Sequence, residues 1–346
     1  MRLNEKSKFF LVLLAQIAVF YLLLYVADWG FALVNEQKRR DFFETVYGDT
    51  SYMLVEEEQK GSAKYSALSE YMEAPRTGKF VNVDERGRSN GAYSRQHQKE
   101  IWVFGGSTTF GYGVKDGETI PAFLQKQLNN ENLEYQVINY GVAAYYSSLE
   151  LIRFIKELRM YNNPRAAIFI DGLNEFYFHD FPEQTIVSSG LGNYFAERDS
   201  LSFSIKSIIR NMLYHFDVTK ELVGWLVAKA KGTGSVDEKY QGEPQNIDAI
   251  EKRLTNNRVM IQAICAEFKV ECLFVQQPIP TYKYSHAENS RVPESALRYD
   301  EHYNSAFGYE YMEARLENYG EMFPDKLLWL ADLRIDEPMY VDTVHY

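Results

Sequence analysis

From about Lys99 onward, short apolar runs alternate with longer stretches whose apolar residues recur every three or four positions. The runs are Ile101 to Phe104, ended by Gly105-Gly106; Val137-Ile138; Ala166 to Ile170, stopped by Asp171-Gly172; Cys272 to Val275, closed by Pro278; and Lys326 to Ala331. Runs this short, bounded by turn residues, read as buried strands. Between them, Ile120, Phe123, Leu124 and Leu128 share one helical face behind Thr119 as cap and Pro121 in the first turn. Leu151, Phe154, Ile155 and Leu158 follow a capping-box pattern at Ser147 and Glu150. Ile247, Ile250, Leu254, Ile261, Ile264 and Phe268 stripe a longer helix. Strands alternating with helices predict a parallel sheet covered on both faces. Ligands in such sheets sit beyond the carboxyl ends of the strands, so chemistry is sought in the residues that follow each strand.

Two regions break this rhythm. Near the N-terminus, Phe9 to Ala27 is uncharged and almost wholly apolar, and its nineteen residues nearly span a hydrocarbon core of about 30 Å. Arg2, Lys6 and Lys8 precede it, which predicts a cytoplasmic tail over 1–8, a transmembrane anchor over 9–27 and the remainder outside the inner membrane, on the periplasmic or extracellular side. The run ends Tyr25-Val26-Ala27-Asp28-Trp29 with no small-x-small site, which favours an uncleaved anchor over a signal peptide. Residues 28–99 are mixed and polar and read as a stalk and lead-in to a domain over 100–346. The second break, 178–245, carries Gly/Ser turns and a helical piece, as expected of a lid, a binding element or a surface for a protein partner.

Composition narrows the function. Hydrophobic residues make up 46% and charged residues 25% of the 346, as in a globular chain. The net charge is −11, and the lack of a basic stripe beyond Lys38-Arg39-Arg40 argues against nucleic acid. Cys265 and Cys272 read as buried free thiols rather than a bridge or a metal site. His179, His215, His286 and His302 have no metal-ligand spacing, and no cofactor or metal motif is present. Asn257, on the apolar stripe of its helix, reads as a buried hydrogen-bonding residue.

The strand ends read Gly105-Gly106-Ser107-Thr108-Thr109, Asn139-Tyr140-Gly141 and Asp171-Gly172-Leu173-Asn174-Glu175, and Asp342-Thr343-Val344-His345 comes last. A serine hydroxyl is a poor nucleophile until a base takes its proton, and histidine is the usual base near neutrality. His345 lies three residues after Asp342, so one turn can aim both into a cleft. An acyl-transfer intermediate also needs oxyanion donors. The Asn174 amide and the N–H groups of Ser107 and Gly141 are the candidates.

In this order the blocks resemble the SGNH (GDSL-like) hydrolases: Gly105-Gly106-Ser107, Gly141, Gly172-Leu173-Asn174 and Asp342 to His345. The resemblance spans roughly 80–346, and the Gly-Gly-Ser-Thr-Thr-Phe-Gly form is similar to a membrane-anchored bacterial branch. Gly106 stands where the family usually has Asp. The resemblance implies a flavodoxin-like three-layer α/β/α fold with a parallel five-stranded sheet. It implies Ser107 as nucleophile, His345 as base, Asp342 as its orienter, and Ser107, Gly141 and Asn174 as the oxyanion hole. The activity so implied is an esterase acting on acyl, chiefly acetyl, esters of a cell-surface glycan or lipid. An O-acyltransferase with the same triad and a non-catalytic scaffold are the alternatives.

Overall fold

Five parallel strands stand at the centre of the computed structural model, which describes residues 5–60, 63–66, 68–177, 246–283, 303–333 and 345. The chain divides into two units, Met1–Glu44 with Gly192–Gln241 and Thr45–Leu191 with Gly242–Tyr346. In the first, helix α1 starts at Glu5 and continues unbroken to Tyr47. It is long and apolar enough to cross a membrane. Val19, Phe20, Leu22, Leu23, Val26 and Trp29 along it are exposed. The insertion at 178–245 lies outside the described residues, as do His179, His215, His286 and His302.

The second unit opens with α2 (Tyr52–Gln59), a hairpin of β1 (Ala63–Ser66) and β2 (Glu70–Glu73), and a two-residue pairing of β3 (Arg76–Thr77) with β4 (Asn82–Val83). So residues 45–99, expected as stalk and lead-in, carry elements of their own. There follow β5 (Glu100–Gly105), α3 (Ser107–Phe110), α4 (Ile120–Asn130), β6 (Gln136–Asn139), α5 (Ser147–Met160), β7 (Ala166–Asp171) and α6 (Leu173–Tyr177). Then come α7 (Ile247–Phe268), β8 (Glu271–Gln276), α8 (Tyr303–Glu313), α9 (Leu316–Met322) and β9 (Leu327–Trp329). Each expected strand is present, extended by a residue or two except at β9.

The sheet order is β6-β5-β7-β8-β9, all parallel. Counting only these strands, that is the flavodoxin-like order 2-1-3-4-5, whose switch point falls between the first and third strands, here β5 and β7. The expected flavodoxin-like α/β/α architecture is what the chain adopts. Alternate residues of each strand face opposite layers. Trp102, Phe104, Phe169 and Phe274 join the layer of α5 and α7, where Phe154, Leu254 and Ile261 are buried. Val103, Ile170 and Val275 face Ile120, Leu124 and Leu128 of α4 on the other side. Phe104 and Phe169 stack across β5 and β7 at 5.0 Å.

Helix starts follow the expected chemistry once and depart from it once. Thr119 Oγ1 accepts the Ala122 N–H at 3.1 Å with Pro121 in the first turn. At α5 the expected capping box does not form. Tyr146 is the cap residue and supplies no side-chain bond, and Ser147 N–H instead donates to Glu175 Oε1 from α6. Glu150 points inward and is buried. A carboxylate brought by the fold has displaced the local one.

The cysteines also differ from expectation: Cys265 and Cys272 are joined in a disulfide, with Cα atoms 6.3 Å apart. The cause is the tight passage from α7 into β8. Lys269 ends the helix in the left-handed region at φ 58°, and its N–H donates to the Ala266 carbonyl. The chain then turns back at once, setting the helix end over the start of the strand.

Candidate active site

Ser107 is the first residue of α3, immediately after β5, and Asn174 is in the first turn of α6, immediately after β7. Both therefore stand at the switch point of the sheet. A Cβ on Gly106 would collide with the Asn174 side-chain nitrogen and sit 3.2 Å from the Tyr145 carbonyl oxygen. Glycine is thus what allows the serine turn and the asparagine to approach each other. The first N–H groups of a helix have no acceptor within it, and Ser107, which lines the cleft, is the first residue of α3.

His345 completes the contact. Its Nε2 lies 2.8 Å from Ser107 Oγ, and its ring stacks on Tyr112 with centroids 5.2 Å apart. The imidazole is nearly buried, at 9% exposure. Asp342 lies outside the described residues. Serine and histidine are 238 residues apart in sequence, yet meet at hydrogen-bond distance. A nucleophile beside its base is the minimum arrangement for acyl transfer through serine.

Three side chains hold the four-residue helix that carries Ser107. The Arg88 side chain is wholly buried; its Nη1 donates to the Phe110 carbonyl at 3.0 Å and its Nη2 to that of Val114 at 2.6 Å. Its Nε pairs with Asp116 at 3.0 Å. Asn139 Nδ2 donates to the Thr109 carbonyl at 3.1 Å, and Gln59 Nε2 to that of Gly111, also at 3.1 Å. Donors at a helix C-terminus satisfy its last carbonyls and oppose its dipole.

The expected oxyanion donors separate. Asn174 Nδ2 donates one hydrogen to the Tyr145 carbonyl at 2.7 Å, which fixes the plane of the amide. The Gly141 N–H already has an acceptor, Asn139 Oδ1, at 3.0 Å. A Cβ at Gly141 would strike the Phe110 nitrogen, so this glycine serves close packing of the turn against α3. Ala144, at φ 62°, occupies the left-handed region that non-glycine residues enter at a cost, one residue before Tyr145.

Glu175 is fully buried and clamps the same turn from beyond Tyr145, through Ser147 N–H, while Arg253 Nη2 pairs with its other oxygen at 3.3 Å. Asn257 is buried and donates to Ser147 Oγ at 2.8 Å and Ser148 Oγ at 2.9 Å. Gln277 lines the pocket at Ser107, whereas Gln276 accepts from Arg258 at 2.9 Å beneath it. Arg88 and Tyr112 escape a reading by hydrophobic period, because Arg88 sits in an isolated bridge pairing with Val83 and Asn139 and Tyr112 in a turn.

No family model and no curated protein matches the chain. Solved structures do. One is the esterase AlinE4, described as an SGNH-hydrolase family esterase, at 31% identity over 24% of this chain and 44% of that one, with a TM-score of 0.22. The chain resembles the SGNH hydrolases. Its match spans less than half the length of that AlinE4 structure. A putative acylhydrolase from Bacteroides fragilis matches at 11% identity over 74% of this chain and 83% of that one, with a TM-score of 0.35. An acetyl xylan esterase, AlAXEase, matches at 13% over 71% and 90%, with a TM-score of 0.30.

Proposed function

We propose that this protein is an SGNH-type serine esterase that removes small acyl groups, acetyl foremost, from a glycan or lipid at the cell surface, held at the inner membrane by α1. The observation that carries this reading is the 2.8 Å contact between His345 Nε2 and Ser107 Oγ at the switch point of the sheet. His345 takes the hydroxyl proton as Ser107 Oγ attacks the ester carbonyl. The proton then passes to the departing alcohol, leaving an acyl-serine that water, activated by the same imidazole, hydrolyses. Negative charge on the carbonyl oxygen is met by the Ser107 N–H and the second hydrogen of the Asn174 amide. Asp342 is assigned the far imidazole nitrogen, where a carboxylate would hold the tautomer and stabilise the cation.

Placement outside the cytoplasm is supported by the basic flank at Arg2, Lys6 and Lys8 and by the Cys265–Cys272 bridge, a bond that persists in oxidising compartments.

A fluorophosphonate probe tests the reading directly. Wild type is expected to label on Ser107, with Ser107→Ala unlabelled and His345→Ala strongly slowed, and with free acetate released from an acetylated sugar. Equal labelling of wild type and Ser107→Ala would defeat it.

A further inference from the structure

Beneath the Ser107 cleft lies a fully buried set of charged side chains that the proposed mechanism does not use. Glu150 of α5, Asp171 of β7 and Glu175 of α6 are 1%, 4% and 0% exposed. Two guanidiniums face them from α7. Arg258 donates to Asp171 Oδ2 from both Nε and Nη2, at 3.3 and 3.2 Å, and Arg253 Nη2 donates to Glu175 Oε2 at 3.3 Å. Three carboxyls therefore share two cations, and Glu150 is the one left over. Among the described residues no donor reaches either Glu150 oxygen or Asp171 Oδ1. Glu150 and Asp171 also line a cavity of about 10 Å³, room for roughly one water, that reaches Ser107 and Asn174.

An ionised carboxylate buried with neither a cation of its own nor a donor costs several kcal/mol in a protein interior, so such a group keeps its proton instead. A proton on Glu150 cures two defects together. It neutralises the surplus charge, and it gives Asp171 Oδ1 the donor it lacks.

We infer that Glu150 is a neutral carboxylic acid at neutral pH, donating to Asp171, and that this bond positions the Tyr145–Ser147 turn that orients the Asn174 amide. Burial and the neighbouring Asp171 and Glu175 all push the Glu150 carboxyl well above its ordinary value of 4.5, Arg258 alone pulling it back. Glu150 is in the first turn of α5, and its N–H donates to the Tyr146 carbonyl at 3.1 Å, which ties its backbone to that turn. The positioning half of the inference rests on the esterase reading; the protonation half does not.

The two halves have separate tests. In wild type at neutral pH, infrared spectroscopy is expected to show the carbonyl stretch of a protonated carboxyl, and Glu150→Gln to remove it. Absence of that band in wild type overturns the inference, whether or not the variant folds. Stability gives a second measure. A carboxyl raised in the folded state makes the native protein bind more protons than the unfolded chain, so Glu150 subtracts stability as pH rises above 4.5. Glutamine cannot ionise, and its NH₂ can donate to Asp171. The melting temperature of Glu150→Gln minus that of wild type should therefore grow with pH, and a pH-independent difference overturns the inference. For positioning, Glu150→Leu is expected to lower kcat on an acetyl ester by up to about 10²-fold, the cost of an ångström-scale misplacement, with KM moved far less. An unchanged kcat in a folded Glu150→Leu overturns the positioning half, and the infrared result then stands by itself.

Discussion

Asn174 and Gly141 are both polar-turn residues at the end of a strand, and the sequence offers them as equal oxyanion donors. Their hydrogen bonds part them. Asn174 has two amide hydrogens and places one on the Tyr145 carbonyl, so the other is aimed by a fixed plane. Gly141 has a single N–H, and Asn139 Oδ1 takes it. On the proposed mechanism, replacing Asn174 by Ala is expected to lower kcat by about 10²–10³-fold with little change in KM, because the donor so lost would act on charge that exists only in the transition state. Steady-state kinetics on an acetyl ester would check this. Replacing Gly141 should instead lower the melting temperature, since any Cβ there meets the α3 backbone. Residue type and position offer Ser107, Asn174 and His345 as candidates in the sequence, and His345 Nε2 does lie 2.8 Å from Ser107 Oγ. What the type cannot say is which donor is already engaged.

At the scale of elements, strands and long helices were readable because burial imposes their period. The short helix α3 was not, and neither was what secures it. A four-residue helix has almost no stability of its own. It persists here because Arg88, bridged to Val83 and Asn139 in a segment that looked like mere lead-in, donates into its C-terminal carbonyls, with Asn139 and Gln59 beside it. Nothing periodic marks Gly87-Arg88-Ser89-Asn90, so hydropathy gives no sign of it. Arg88→Met should destabilise the domain by about 3–5 kcal/mol in urea unfolding, because it leaves Asp116 buried without its cation. Arg88→Met with Asp116→Asn should recover part of that loss. The fluorophosphonate labelling rate should stay low in both variants, since neither restores the carbonyl contacts. The α5 start teaches the same point from the other side. Ser147 and Glu150 spell a local cap, yet Glu175 takes the Ser147 N–H, and Glu150 is buried at the wall of the Ser107 cleft. Local chemistry loses where tertiary structure supplies a better-placed carboxylate.

For the molecule as a whole, strand order explains why residues from such distant parts of the chain converge. Between β5 and β7 the connections leave in opposite directions, so the loops after these strands cannot close over each other, and a crevice opens where Ser107 and Asn174 meet. At this scale the cysteine pair reports on the compartment in which the sheet is built. Free thiols and a bridge look alike in sequence, because seven residues of separation fit either; the tight turn at Lys269 decides for the bridge. Closing so short a loop is worth about 2.5 kcal/mol by loss of unfolded-state entropy. Denatured protein from cells should therefore resist alkylation until reduced, and urea unfolding with reductant should show a stability lower by roughly that amount. Two thiols that alkylate without reductant would place folding in a reducing compartment. The outward orientation would then rest on Arg2, Lys6 and Lys8 alone, although the Ser107–His345 contact needs no disulfide to form.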